Sequence, residues 1–166
     1  MTHIIEAMAR GCRALLLSAC ALPAAAMAAP EAFWALVGTL AAAAPKGGQA
    51  VVRQWPGRPF PLVRGADANS AALALAPDLQ TSIAEMRLAE GDAVQLMVLK
   101  VQGGCITPDE LIGRYARVEN ADFPQPDNPD PVRYRVVHLD GVRVSFGFLG
   151  GAPGCLAHVV FNPRGR

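Results

Sequence analysis

The chain has 166 residues, 52% of them hydrophobic and 17% charged, with 15 basic and 14 acidic side chains for a formal net charge of +1. So even a balance excludes a nucleic-acid binder, which needs a basic face to release counterions, and a partner recruited by long-range charge. The length allows one domain with a real core and is too short for two independent ones.

The first 28 residues read as a signal peptide. Arg10 and Arg13 precede an apolar run from Ala14 to Ala26, and Ala26-Met27-Ala28 has the small-x-small pattern after which signal peptidase cuts. The expectation is a mature chain from about Ala29 to Arg166, located in the periplasm or secreted. Leu17-Ser18-Ala19-Cys20 also fits a bacterial lipobox, in which Cys20 carries lipid and anchors the protein to the envelope, although Ala14 to Ala19 is short for the required apolar stretch. A run this short and followed by Pro23 cannot span a bilayer as one helix, which takes about 20 apolar residues. Membrane attachment therefore hangs on lipidation of Cys20. Cleavage removes Arg10, Arg13 and Glu6 and leaves equal numbers of basic and acidic side chains.

Of the four cysteines, Cys12 and Cys20 lie in the leader, leaving Cys105 and Cys155. An even pair in an exported chain predicts a disulfide, because that compartment is oxidising. The loop it closes contributes on the order of 4 kcal/mol in the chain-entropy account. A thiol nucleophile served by His138 or His158 is the competing reading, but no local signature of such an enzyme surrounds either cysteine.

Along the mature chain, Phe33, Leu36, Val37 and Leu40 recur at helical spacing and predict a helix over Glu31 to Leu40, with Pro45-Lys46-Gly47-Gly48 ending it or its alanine-rich extension. Gln49 to Val63 carries Pro56, Pro59 and Pro61 and reads as an extended crossover. Arg64 to Ser70 is turn-prone, and Ala71 to Ala76 has no clear assignment. Ile83 to Ala89 and Ala93 to Val101 flank Glu90-Gly91-Asp92 and predict an antiparallel hairpin, the second strand being central and covered by helix on at least one side. Thr107-Pro108-Asp109-Glu110 has a capping hydroxyl, a proline at the first helical position and an acid three residues after the cap, a capping box opening a helix from Pro108 to about Arg117. Leu111, Ile112 and Tyr115 are expected to face inward. Capping accounts for Asp109 and Glu110 without any role in acid catalysis.

Val118 to Pro131 reads as a loop with Pro124, Pro126, Pro129 and Pro131 among Glu119, Asp122, Asp127 and Asp130. It lacks EF-hand spacing, so no metal site is assigned to it. A meander follows: Val132 to Leu139, the Asp140-Gly141 hairpin turn, a return strand with Val142, Val144, Phe146 and Phe148 on one face, and Leu156 to Phe161. Cys155 at the start of the last strand would tie it to Cys105 at the entrance of the helix.

Candidate contact residues are few. Arg133, Arg135 and Arg143 would form a cationic strip on the outer sheet face, able to seat a carboxylate or phosphate, if their strands pair as drawn. Trp55 beside Phe60 becomes a protein-contact anchor if exposed. His138 and His158 have no carboxylate cluster to make a zinc site. The glycines from Gly147 to Gly154 lack the lysine and strand-to-helix context of a phosphate loop. Ser70, Ser82 and Ser145 have no nucleophile elbow. No catalytic residue, cofactor or metal is assigned.

The unit from Cys105-Ile106-Thr107-Pro108-Asp109-Glu110-Leu111 to Tyr115, followed by Tyr134 to Leu139, Val142 to Leu149 and Leu156 to Phe161, resembles the helix-then-meander module of small bacterial envelope proteins, the BamE-like lipoproteins and beta-lactamase-inhibitor-like proteins. The resemblance covers about the last 60 residues and implies that the antiparallel strands form a protein-binding face. Arg114-Tyr115-Ala116 departs from the family's leucine-glycine helix ending, as does the long acidic loop. The first half has its own helix and hairpin but no residue-level repeat of the module. The expected fold is α+β, with helices packed on a mostly antiparallel sheet. The expected role is a non-enzymatic periplasmic binding or inhibitor protein, immunity proteins included, whose partner is another envelope protein. The alternative is a structural or assembly accessory envelope lipoprotein, and an enzyme with an unrecognised site stands third.

Overall fold

The computed structural model describes residues 29–62, 68–121, 132–151 and 154–163. The leader with Cys20 lies outside these residues, as do Asp122, Asp127, Asp130 and the prolines of the acidic loop.

Helix α1 (Ala29–Ala43) buries Phe33, Trp34, Leu36, Val37 and Leu40 along one stripe. It continues through the alanine-rich extension to just before Pro45, because alanine favours helix and is small enough to pack. A 3₁₀ turn (Ala44–Lys46) and Gly47, at φ +106°, reverse the chain into helix α2 (Gly48–Gln54). The extended reading of this segment is thus corrected over its first half. Ala50 and Val51 of α2 are buried, and its opening turn is capped from outside by the Asp92 carboxylate, which accepts the Gln49 N–H at 2.9 Å. Pro56 ends α2 by holding Trp55 extended, at ψ 118°.

Seven strands follow, β1 (Leu73–Ala76), β2 (Leu79–Leu88), β3 (Val94–Gly103), β4 (Glu119–Ala121), β5 (Arg133–Leu139), β6 (Val142–Phe148) and β7 (Leu156–Asn162), with helix α3 (Pro108–Arg114) between β3 and β4. They form one sheet in the order β1-β2-β3-β7-β6-β5-β4, every neighbouring pair antiparallel. The fold is α+β as expected. Ala71 to Ala76 supplies an edge strand, and Glu119–Ala121, read as loop, pairs with β5 as the other edge. Traced inward from either edge the sheet is a meander that follows a helix, and the two meanders meet where β3 pairs β7.

Antiparallel register places directly opposed side chains on the same face. Leu99 opposes Val159, which opposes Phe146, while Met97 opposes Phe161, which opposes Val144. These rows join the α1 and α2 stripes in one continuous core. α1 crosses this face, touching β1, β5 and β6. The opposite face contributes nothing to that core and carries none of the three helices.

α3 begins with the predicted capping box: Thr107 Oγ1 accepts the Glu110 N–H at 3.3 Å and the Thr107 N–H donates to Glu110 Oε2 at 2.6 Å. Leu111 is fully buried, but Ile112 is 55% exposed, against expectation. The helix also stops at Arg114 rather than near Arg117, because Tyr115 turns extended to pack edge-on against Trp34, ring centroids 5.9 Å apart. The Arg114 guanidinium meets the Glu31 carboxylate at 2.9 Å, tying α3 to the first turn of α1. Cys105 and Cys155 form the predicted disulfide, with Cα atoms 4.9 Å apart, and the Leu156 N–H donates to the Ile106 carbonyl beside it at 2.9 Å.

Candidate functional site

With the helices on one side, the other side of the sheet is, among the described residues, a helix-free, open face built from alternate residues of the central strands. One row across it runs Ser82, Lys100, His158, Gly147, Tyr134 and Ala121, from β2 to β4. The next runs Glu85, Val98, Val160, Ser145, Val136 and Glu119. The second row is apolar at its centre and carries a carboxylate at each end. Val136 is 2% exposed and Ser145 6%, although neither faces the helices.

In the first row Tyr134 Oη and His158 Nε2 are 2.7 Å apart and hydrogen-bonded across the intervening strand. Gly147 makes this possible. A Cβ at that position would sit 2.4 Å from His158 Nε2, so the imidazole occupies the space a side chain would take. Burial pushes the Tyr134 phenol up and the His158 imidazole down from their ordinary pKa values, so both are neutral at neutral pH and the phenol donates to an unprotonated Nε2. Lys100 lies directly opposite His158 on β3. Glu85 is paired with the Arg87 side chain on the same strand. The arrangement offers a shaped polar and apolar surface. The two cysteines are bonded to each other, so neither is a free thiol.

The other residues singled out by sequence are spread apart. Trp55 and Phe60 are 5% and 7% exposed and pack edge-on with centroids 6.5 Å apart, so the exposed contact anchor is corrected to core packing under α2. Arg133 opposes Phe148 and Arg135 opposes Phe146, on the helix-bearing face, whereas Arg143 opposes His138 on the open face. The single strip of three arginines is therefore corrected: strand alternation sends Arg143 to the other side. Arg133 and Arg135 line a hollow of about 110 Å³ with Pro108, Phe148 and Leu149 beside the disulfide.

Sequence reasoning missed the Tyr134–His158 pair. Its members and Gly147 lie on three strands, and nothing local marks them; only the register brings them together. Among the described residues no group of three or more His, Cys, Asp or Glu could hold a metal ion, and no helix is long and apolar enough to cross a membrane. No protein-family model matches this chain, nor does any curated protein or solved structure.

Proposed function

We propose that the protein is an exported, non-enzymatic binding protein of the inhibitor type, holding another envelope protein against the open face of its sheet. The observation that carries this reading is the one-sided placement of the helices, which leaves across β3 and β7 the half-buried pair Val98 and Val160 beside the Lys100, His158 and Tyr134 row. An apolar centre bordered by polar groups is the usual anatomy of a protein interface. The leader and the Cys105–Cys155 disulfide suit an oxidising compartment. The helix-then-meander resemblance supports the same reading, since strands form the binding face in those families.

A photo-crosslinking residue in place of exposed Lys100 on the open face, compared with one in place of exposed Gln49 on α2, tests the reading in the native envelope. The expected result is one discrete covalent partner from position 100 and none from position 49. Equal labelling from both positions, or turnover of an envelope substrate that His158→Gln abolishes, overturns it. The mass of the mature N-terminus from the same sample separates cleavage before Ala29 from lipid on Cys20, the latter favouring the accessory-lipoprotein alternative.

A further inference from the structure

We infer that the hollow between Arg133 and Arg135 is a carboxylate-binding site that takes an acidic segment of a partner protein. It lies apart from the open face, on the other side of β5. Arg133 and Arg135 are two positions apart on that strand, so their side chains leave the same face about 7 Å from one another. Both line the hollow of about 110 Å³ together with Pro108, Phe148, Leu149, Gly151 and Gly154, where the Phe148 side chain is buried and Leu149 is exposed.

Neither guanidinium meets a carboxylate among the described residues. Among the described residues the Arg135 guanidinium makes a long hydrogen bond, 3.5 Å, to the Tyr134 carbonyl of its own strand. Two guanidinium groups on one face, neither with a carboxylate partner among the described residues, form a local positive field. A charge-assisted bond from either guanidinium to a carboxylate is stronger than a neutral hydrogen bond.

The size and lining select the ligand. Pockets that enclose a small molecule run to about 300–1,000 Å³, so this hollow is too small to enclose a metabolite and fits a carboxyl-bearing side chain. Guanidinium forks bind carboxylate and phosphate oxygens alike, and what favours a carboxylate carried on a peptide is the exposed apolar residue Leu149 in the same lining. Leu149, 46% exposed and part of the same lining, offers an apolar contact to a residue flanking the acid. A free carboxylate ion would leave that contact unused, and an acidic peptide would fill it.

The test is an NMR titration of the isotope-labelled, oxidised, exported chain with acetyl-Gly-Leu-Glu-Glu-Gly-amide, its Gln-Gln counterpart, sodium acetate and inorganic phosphate. The Glu peptide is expected to shift the Arg133, Arg135 and Leu149 resonances and to bind at least tenfold tighter than each of the other three probes. Arg133→Gln with Arg135→Gln is expected to weaken the Glu peptide at least tenfold while the rest of the spectrum stays native, and Arg143→Gln on the opposite face to leave its affinity unchanged. Equal binding of the Gln peptide, acetate or phosphate as tight as the Glu peptide, or undiminished binding to the double variant overturns the inference. Failure here leaves crosslinking from position 100 intact, and loss of that crosslink leaves this titration intact, so the two readings fall separately.

Discussion

His158 reaches Tyr134 only because Gly147, between them, has no side chain. The Gly147→Ala methyl would collide with the imidazole, and since the ring is wedged among half-buried neighbours the cost is expected at about 1–3 kcal/mol. Urea unfolding should show it, together with loss of the hydrogen-bonded imidazole signal by NMR. An unchanged midpoint would mean that the ring does not lie over position 147. The same histidine gives the stability a pH dependence. Burial lowers its pKa in the folded state below the unfolded value of about 6.5. Its contribution is therefore complete above about pH 6.5. It is lost as the pH falls from there toward the folded value, because the unfolded chain takes up the proton first. The urea midpoint is expected to drop between pH 7 and pH 5 more steeply in the wild type than in His158→Gln, and parallel curves would refute the assignment.

At the scale of elements, two helix starts contrast. The capping box of α3 is written within four consecutive residues, and Thr107→Ala is expected to cost about 1 kcal/mol by chemical denaturation. The cap of α2 comes from Asp92, 43 positions away from the Gln49 amide it accepts. Gly47 and Gly48 let the β2–β3 turn come that close: a Cβ on either would lie 2.7–2.9 Å from an Asp92 carboxylate oxygen. Asp92→Ala should thus destabilise a distant helix by about 0.5–2 kcal/mol, visible as faster amide exchange in residues 49–54 than elsewhere. Uniform exchange would place the loss at the turn itself. Neighbours on α3 differ in the same way: Leu111→Ala is expected to cost about 2–5 kcal/mol, while Ile112→Gln should stay within about 0.5 kcal/mol. Helical spacing marked both as inward, and only the short helix and the packing of Tyr115 against Trp34 turned Ile112 outward.

The described residues are held by one sheet and one covalent tie. Reduction, or Cys105→Ser with Cys155→Ser, releases a loop spanning 50 positions and is expected to cost about 4 kcal/mol. Unfolding with and without reductant measures it; equal midpoints would show that the reference state was already constrained. The two helix-then-meander halves meet at β3 and β7, yet α1 of the first half packs on β5 and β6 of the second. The core is therefore shared. Hydrophobic period, capping residues and the Asp140-Gly141 turn were legible in the sequence because they act over a few neighbouring residues: they determined α1, α3, the β2–β3 hairpin and the β5–β6–β7 meander, and cysteine parity determined the disulfide. Tertiary structure alone decided that α2 is a helix, that Glu119–Ala121 joins the sheet, that Trp55 and Phe60 are core, that Arg143 parts from Arg133 and Arg135, and that Tyr134 and His158 meet. Each of these depends on which strand lies beside which, and pairing between residues distant in sequence leaves no period or motif along the chain.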